Sequence, residues 1–388
     1  MGGSMTEGIF LARPELPAGG VRLAVKDLFD TAGLATTYGS AVFADHIPAA
    51  TAEAVRRAEA AGYASVGKTN LHEFAYGVTS QNPHFGTVPN PVAPGRTAGG
   101  SSGGSAAALA AGLADAALGT DSGGSIRIPA ACCAVVGFKP SYGVVPLDGC
   151  FPLAPSFDHA GPMARSVAEC VSLLAVLAPD FVPQRLESLE EVTAGVAWLE
   201  LADPGVARRV DEAARTFPRR RRLELPLPHD VGPAFMREVA DVHRELYAEF
   251  AELYGANVRA KIERCLDVTD REYDAAVRRR DEYRAQWGEL VEDVDVVVTP
   301  TLPVVPPPAD GDELELRATL IRFTFPFNAL GWPALALPCG PADGGLPASA
   351  QLAAPAGADA LVVAAGKLLE RALSPRATTG ASHRPRRD

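Results

Sequence analysis

Two clusters of glycine and serine in the first third of the chain constrain its fold more than any other feature. The first, "TAGGSSGGSAA", occupies residues 97–107, and the second, "GTDSGGSIRIP", occupies residues 119–129. Both clusters lie between apolar segments, whereas flexible Gly/Ser linkers join separate domains and have polar neighbours. We therefore expect two ordered loops inside a single domain.

The segments around these clusters predict an α/β fold. "VRLAVKDLF" (21–29) and "ASVGKT" (64–69) are short apolar runs typical of buried strands, and "TAEAVRRAEAAG" (51–62) has the spacing of an amphipathic helix. Further apolar runs bounded by turn residues follow, including "AVVGFKP", "VDVVVTP" and "WPALALP". This alternation favours a mixed, mostly buried central β-sheet covered by helices on both faces.

The length of 388 residues and a hydrophobic content of 47% allow one large core. We predict a single domain over residues 5–375, with its core in 20–200 and 294–373. Residues 203–292 are more charged and predict a helical insertion, with two long amphipathic helices between about 235 and 294; the four arginines at 219–222 are expected to form a solvated loop. The polar, basic end of the chain predicts a disordered tail over 376–388.

Charge and cysteine content exclude several classes of protein. The formal net charge of −11 argues against a nucleic-acid surface, which requires a basic footprint. The six cysteines form no CxxC pair and therefore suggest neither a disulfide framework nor a zinc site. No apolar run is long enough to span a membrane, and no basic-then-apolar leader begins the chain. We expect a cytoplasmic protein that binds neither nucleic acid nor membrane.

The two clusters could bind an anion or carry a nucleophilic serine. Neither a GxxxxGK[ST] nor a strand-borne GxGxxG phosphate loop is present. Residues 99–103 formally match GxSxG, but they do not follow a strand directly, and the SxxK match at 65–68 lacks its companion motifs. The sequence "DSGGS" has no side chains at Gly123 and Gly124, so its N–H groups could converge on an oxyanion beside Ser125.

A serine nucleophile needs a base, and Lys26 is a candidate because it lies in an apolar strand. Free lysine has a pKa of about 10.4, so a neutral amine near pH 7 requires a shift of about 3 units, or about 4 kcal/mol. Burial can supply that shift. The alternative is that Lys26 is ion-paired with Asp27 or another carboxylate.

Five blocks of the sequence, taken in order, resemble the amidase signature family. They are "LAVKDLFDTAGLATTYGS", "VGKTNLHEFAYG", "GRTAGGSSGGSAAALAAG", "ALGTDSGGSIRIPAACCAVVGFKPSYG" and "DHAGPMARSV". Lys26, Ser101 and, 24 positions further on, Ser125 fall at the separations usual in this family. The dense match covers residues 20–178, and a looser match resumes from "DVVVTPTLP" to "GLPASAQL".

The resemblance implies a Ser–cis-Ser–Lys triad in an amidase-signature fold. Ser125 would be the nucleophile, Ser101 the bridging serine with a cis peptide bond to Gly100, and Lys26 the terminal base. Lys68 would then be a structural lysine. The resemblance also implies an oxyanion hole formed by the N–H groups of Ser122, Gly123, Gly124 and Ser125, with Ser102, Asp121 and Arg127 in supporting roles.

The implied activity is hydrolysis of a small carboxamide through an acyl-enzyme, without a metal or organic cofactor. The expected partner is a small-molecule amide, and the sequence leaves open whether the chain forms a homodimer. Three alternatives stay open: an acyltransferase or amide synthase that passes the acyl group to an amine, an amidotransferase A-type subunit that supplies ammonia to a partner, and a non-catalytic scaffold.

Four aromatic residues and one arginine are expected near the substrate. In the A subunits of amidotransferases, an acidic residue before an "FT" segment holds the amino group of glutamine. The corresponding "LIRFTFPFN" here has Ile321 and Arg322, which argues against glutamine and favours an acyl group that is neutral or acidic, since Arg322 could meet a carboxylate. The predicted pocket residues are Phe151, Phe157, Arg322, Phe325 and Trp332.

Overall fold

The protein is described by a computed structural model that covers residues 7–15 and 19–374. The predicted tail at 376–388 lies outside these residues. In chain order the strands are β1 (Phe10–Ala12), β2 (Val21–Lys26), β3 (Tyr63–Thr69), β4 (Gln81–Asn82), β5 (Gly86–Thr87), β6 (Ala116–Thr120), β7 (Val136–Lys139), β8 (Ala160–Ala164), β9 (Thr193–Val196), β10 (Arg219–Arg222), β11 (Val296–Pro300), β12 (Ala334–Pro341) and β13 (Pro347–Ala353).

Helices occur between most of these strands and again near the end of the described chain. None of the described helices is long and apolar enough to cross a bilayer. The α-helices are α1 (Glu53–Ala60), α2 (Gly103–Ala110), α3 (Arg127–Cys132), α4 (Val167–Leu177), α5 (Pro204–Ala214), α6 (Gly232–Phe250), α7 (Ala256–Leu266), α8 (Asp270–Leu290), α9 (Glu313–Ile321), α10 (Phe325–Leu330) and α11 (Asp359–Leu373).

The described residues form one mixed sheet of eleven strands, in the order β1-β3-β2-β6-β8-β7-β12-β13-β11-β9-β10, and β4 pairs with β5 in a separate hairpin. Strands β3, β2 and β6 are parallel on one side of the sheet, as are β11, β9 and β10 on the other. The strands between these two groups are antiparallel. The predicted mixed α/β architecture is therefore confirmed.

Alternation along the strands gives the sheet two apolar faces. In β2, Leu23 and Val25 pack in one core cluster while Ala24 packs in another, because successive side chains point to opposite faces. Helices α1, α4, α5 and α11 cover the first face, and α2 and α3 pack on the opposite face. The position after Val25, which is Lys26, consequently lies on the face covered by α2.

The region 203–292 differs from its prediction in two ways. Its charged part forms three helices, α6, α7 and α8, because a break at Tyr254 and Gly255 separates the second from the first. The four arginines form strand β10 and not a loop. Their backbone pairs with β9 while all four side chains stay exposed. An edge strand therefore allows the backbone to form hydrogen bonds while the charged side chains remain in water.

Candidate active site

Lys26 ends strand β2 and is completely buried. Its Nζ lies 2.7 Å from Ser101 Oγ and 2.7 Å from Thr120 Oγ1. Burial lowers the pKa of Lys26 to about 7, although the nearby Cys150, Asp121 and Asp158 oppose the shift. A substantial fraction of this amine is therefore uncharged near neutral pH.

Asp27, the next residue, does not pair with Lys26. Its Oδ1 lies 3.1 Å from Lys68 Nζ, and both side chains are fully buried. Its Oδ2 accepts hydrogen bonds from the N–H and hydroxyl of Thr37. Lys68 also donates to Phe29 O and to a threonine hydroxyl, so its contacts are those of a structural lysine. Because Asp27 pairs with Lys68, Lys26 has no carboxylate partner there and contacts Ser101 instead.

The first glycine-serine cluster is the turn that leads into α2. The peptide bond between Gly100 and Ser101 is cis, as the resemblance implied. A Cβ on Gly100 would lie 2.8 Å from the backbone nitrogens of Thr79 and Ser80, so only glycine fits there. The N–H of Ser102 donates to Ser125 O over 3.2 Å, which joins this turn directly to the second cluster.

In the second cluster, residues 121–126 form a loop between β6 and α3 with a row of backbone N–H groups. The N–H of Gly124 donates to Asp121 Oδ1 over 2.8 Å. Within the part of the chain that the structure describes, the N–H groups of Ser122, Gly123 and Ser125 donate to no protein acceptor. These three groups are consequently available to a ligand, whereas that of Gly124 is occupied.

A buried ion pair holds this loop. Arg127 donates from Nε and Nη2 to the two carboxylate oxygens of Asp121, over 2.9 and 2.8 Å. Burial alone would raise the pKa of Asp121, but the charge and hydrogen bonds of Arg127 outweigh it and lower the pKa below its usual range. The other side-chain and backbone partners of Arg127 are Thr324 O at 2.9 Å, Asn328 Oδ1 at 2.7 Å and Gln351 Oε1 at 2.8 Å.

Ser125 is 7% exposed and lines a cavity of about 330 Å³. Among the described residues its Oγ has no hydrogen-bond partner, so the structure joins Lys26 to Ser101 but does not show a hydrogen bond from Ser125 to Ser101. Ser122 and Gly123 line the same cavity. The cavity therefore brings together a free hydroxyl and the available N–H groups.

The five predicted pocket residues lie at different distances from this cavity. Phe325 lines the cavity beside Ser125, whereas Phe151 lines a second cavity of about 300 Å³ that also includes Ser122 in its lining. Phe157 is buried and stacks on Phe325, with ring centroids 5.8 Å apart. Trp332 is buried against Trp287 and Arg322 is exposed, and neither is among the described residues that line the cavity beside Ser125.

Sequence reasoning missed several residues that shape the site. Thr120 is the second partner of Lys26, and Asp158 accepts the hydroxyl of Ser122 over 2.5 Å. Thr324 donates to the carbonyl of Gly123 over 2.7 Å. The quoted segment "FTFPFN" contains Thr324 and Asn328, so its polar residues inside an apolar run were the available signal.

The chain is similar in sequence to amidases over most of its length. A family model for the amidases matches residues 6–188 and 221–363. The A subunit of glutamyl-tRNA(Gln) amidotransferase from Haloarcula marismortui is 33% identical over 420 residues, covering 95% of this chain and 99% of that protein. An amidase of Pseudomonas putida is 35% identical over 368 residues, covering 85% of this chain and 77% of that protein.

Solved structures with a similar fold also include amidases. The crystal structure of an amidase has a TM-score of 0.83 and 37% identity, covering 91% of this chain and 84% of that one. A bacterial aryl acylamidase of the amidase signature family has a TM-score of 0.78 and 25% identity, covering 92% of this chain and 82% of that one. From the shared fold, the family model and these identities, the chain belongs to the amidase signature family.

Proposed function

We propose that this protein hydrolyses a carboxamide through an acyl-enzyme on Ser125. The observation that supports this most is the hydrogen bond of 2.7 Å between Ser101 Oγ and the buried amine of Lys26. An uncharged lysine can accept a proton through the intervening hydroxyl, so the arrangement supplies the base that a serine nucleophile needs.

In the acylation half, Ser125 gives its proton to Ser101 as Ser101 gives its own to Lys26. The freed Oγ of Ser125 attacks the amide carbonyl, and the N–H groups of Ser122, Gly123 and Ser125 stabilise the oxyanion. The C–N bond then breaks, and the proton returns through Ser101 to the leaving nitrogen. Water attacks the ester in the second half, which releases a carboxylic acid and restores Ser125.

Gly124 has a different role in this proposal from the one expected for it. Its N–H is bound to Asp121, so it does not belong to the donor set. Glycine is required at this position because φ is +133° and because a Cβ there would clash with Thr324 Oγ1. Gly124 therefore sets the shape of the oxyanion loop.

The test is reaction with a fluorophosphonate probe followed by peptide mapping. We expect the label on Ser125, and we expect Ser125→Ala to lose both labelling and amide turnover. Ser172→Ala, an exposed serine on α4, is the control and should behave as the parent protein. A label on another residue, or an active Ser125→Ala variant, would overturn the assignment.

Two other reactions would pass through an acyl-enzyme on Ser125, and each needs a separate measurement. The similarity to amidotransferase A subunits favours glutamine as a second candidate substrate, with its ammonia passed to a partner. Against it, the segment before "FT" has Ile321 and Arg322 where the resemblance implies an acidic residue, and Ile321 lines the cavity. Ammonia release from glutamine tests this candidate, and hydroxamate formation in hydroxylamine tests transfer of the acyl group to an amine.

A further inference from the structure

The cavity beside Ser125 is lined on one side by cationic side chains from α7 and α9. These are Lys261, Arg264 and Arg317. No aspartate or glutamate is among the described residues that line it. The charge at this wall is opposite to the net charge of −11 of the whole chain.

Of these three basic side chains, only Lys261 has a carboxylate partner among the described residues, and burial lowers its pKa to about 7. Lys261 is buried, lies 3.1 Å from Glu313 Oε2 and donates to the carbonyl of Tyr76. Arg264 and Arg317 form no ion pair with any described residue; Arg264 donates to the carbonyl of Ala260, and the Arg317 guanidinium stacks over the ring of Tyr76 at 4.9 Å. Two guanidinium groups thus keep donors available at the cavity.

The rest of the cavity lining indicates the chemical character of the ligand that the cavity would bind. Apart from the residues near Ser125 and the cations, the lining is mainly apolar, and it includes Phe235, Met236, Leu314, Ile321 and Phe325. A short hydrocarbon chain fits this surface, and guanidinium groups pair with carboxylates through two parallel hydrogen bonds. An ammonium group would meet two cations and no carboxylate.

On the basis of the proposed function, we propose that the substrate is an amide that carries a carboxylate and no ammonium group. The carboxylate is bound by Arg264 and Arg317, and the hydrocarbon chain lies on the apolar wall. The amide carbonyl then reaches Ser125. The monoamide of a short dicarboxylic acid is the simplest member of this class.

Three amides of equal chain length test the proposal. They are pentanamide, the monoamide of glutaric acid (glutaramate) and L-glutamine, which is glutaramate with an added α-amino group. We expect kcat/KM for glutaramate to exceed both others by about 10-fold to 100-fold, from the strength of a charge-assisted hydrogen bond. A preference for pentanamide would overturn the proposal that the substrate carries a carboxylate. A preference for glutamine would overturn the proposal that the cavity excludes an ammonium group.

Variants of the arginines test which residues bind the carboxylate of the substrate. Arg317→Gln and Arg264→Gln should each lower kcat/KM for glutaramate, mainly by raising KM, and lower it by a larger factor than kcat/KM for pentanamide. Arg322→Gln is the matched control, because Arg322 is exposed near α9 but does not line the cavity. If Arg322→Gln changes glutaramate turnover as much as the other two variants, the assignment is wrong.

Failure of this inference is distinct from failure of the proposed function. A protein that is labelled at Ser125 and hydrolyses neutral amides, but not glutaramate, retains the proposed function and refutes the carboxylate site. A protein that is neither labelled at Ser125 nor active on any of the three amides refutes both.

Discussion

At the scale of single residues, Lys26 is a buried amine that faces two hydroxyl groups. Within the described residues it forms no ion pair, because Asp27 is already bound to Lys68. A lysine without a carboxylate partner in an apolar interior loses its proton more readily than in water. The arrangement therefore produces a base from a residue that is ordinarily charged.

The first prediction concerns pH. In the proposed mechanism Lys26 acts only in its uncharged form, and its pKa of about 7 means that protonation removes the base as pH falls through 7. We expect kcat/KM for a neutral amide to fall about tenfold per pH unit below 7 and to level off above it. Initial rates between pH 5 and 9 measure this; a rate that is constant from pH 5 to 8 would contradict it.

The second prediction concerns Thr120, which accepts a hydrogen bond from Lys26 Nζ. Thr120→Val keeps the shape of the side chain but removes an acceptor that favours the ammonium form, so the pKa of Lys26 should fall. We expect the acid limb of the pH profile to move to lower pH and kcat to fall about threefold to tenfold. Thr69 is beside Lys26 on the neighbouring strand, but its hydroxyl bonds Ser105 and not Lys26 Nζ, so Thr69→Val should leave the acid limb unchanged.

At the scale of elements, the loop between β6 and α3 depends on its glycine conformations. Gly124 has φ of +133° and no room for a Cβ, whereas a Cβ on Gly123 would meet only Phe325, at 3.7 Å. We expect Gly124→Ala to lower kcat by about 100-fold or more because the oxyanion donors move. Circular dichroism checks that the variant is folded.

The matched variant for this loop is Gly123→Ala. It changes the same loop without a clash, so it should lose far less activity than Gly124→Ala. Equal losses in the two variants would show that the left-handed backbone at Gly124 does not control the reaction.

The ion pair between Asp121 and Arg127 links this loop to the rest of the fold. Both side chains are fully buried, and breaking a buried pair leaves a charge without its partner. Arg127→Met should lower the free energy of unfolding by about 3–5 kcal/mol, measured by urea denaturation. Arg22→Met, which breaks an exposed pair with Asp115, should lower the free energy of unfolding by only about 0–1 kcal/mol. Comparable losses in the two variants would contradict a special role of the buried pair in stability.

The elements were predictable from the sequence to different degrees. Strands β2 and β3 and helix α2 were predictable because their apolar periodicity and glycine boundaries are local properties. The resemblance located Lys26 and Ser101, which the structure joins. The positions of Arg322 and Trp332 relative to the cavity could not be predicted, because they depend on how α8, α9 and α10 pack and nothing local distinguishes a pocket aromatic from a core aromatic.

At the scale of the whole molecule, the described sheet ends at β10, whose outer edge carries four exposed arginines. Unpaired strand edges promote self-association, and charged side chains prevent it. We expect replacement of all four arginines by valine to increase association, measured by light scattering at rising concentration. Replacement by lysine keeps the charge and should not, and equal scattering by the two variants would contradict the protective role.

The partners of Arg127 other than Asp121 have a consequence for how the protein is made. They lie 197 to 224 positions further along the chain, in and beside α10 and in β13. A polypeptide leaving the ribosome exposes its lysine and serines long before those partners have been translated. The site proposed here can therefore be complete only after the segments that supply those partners have been translated.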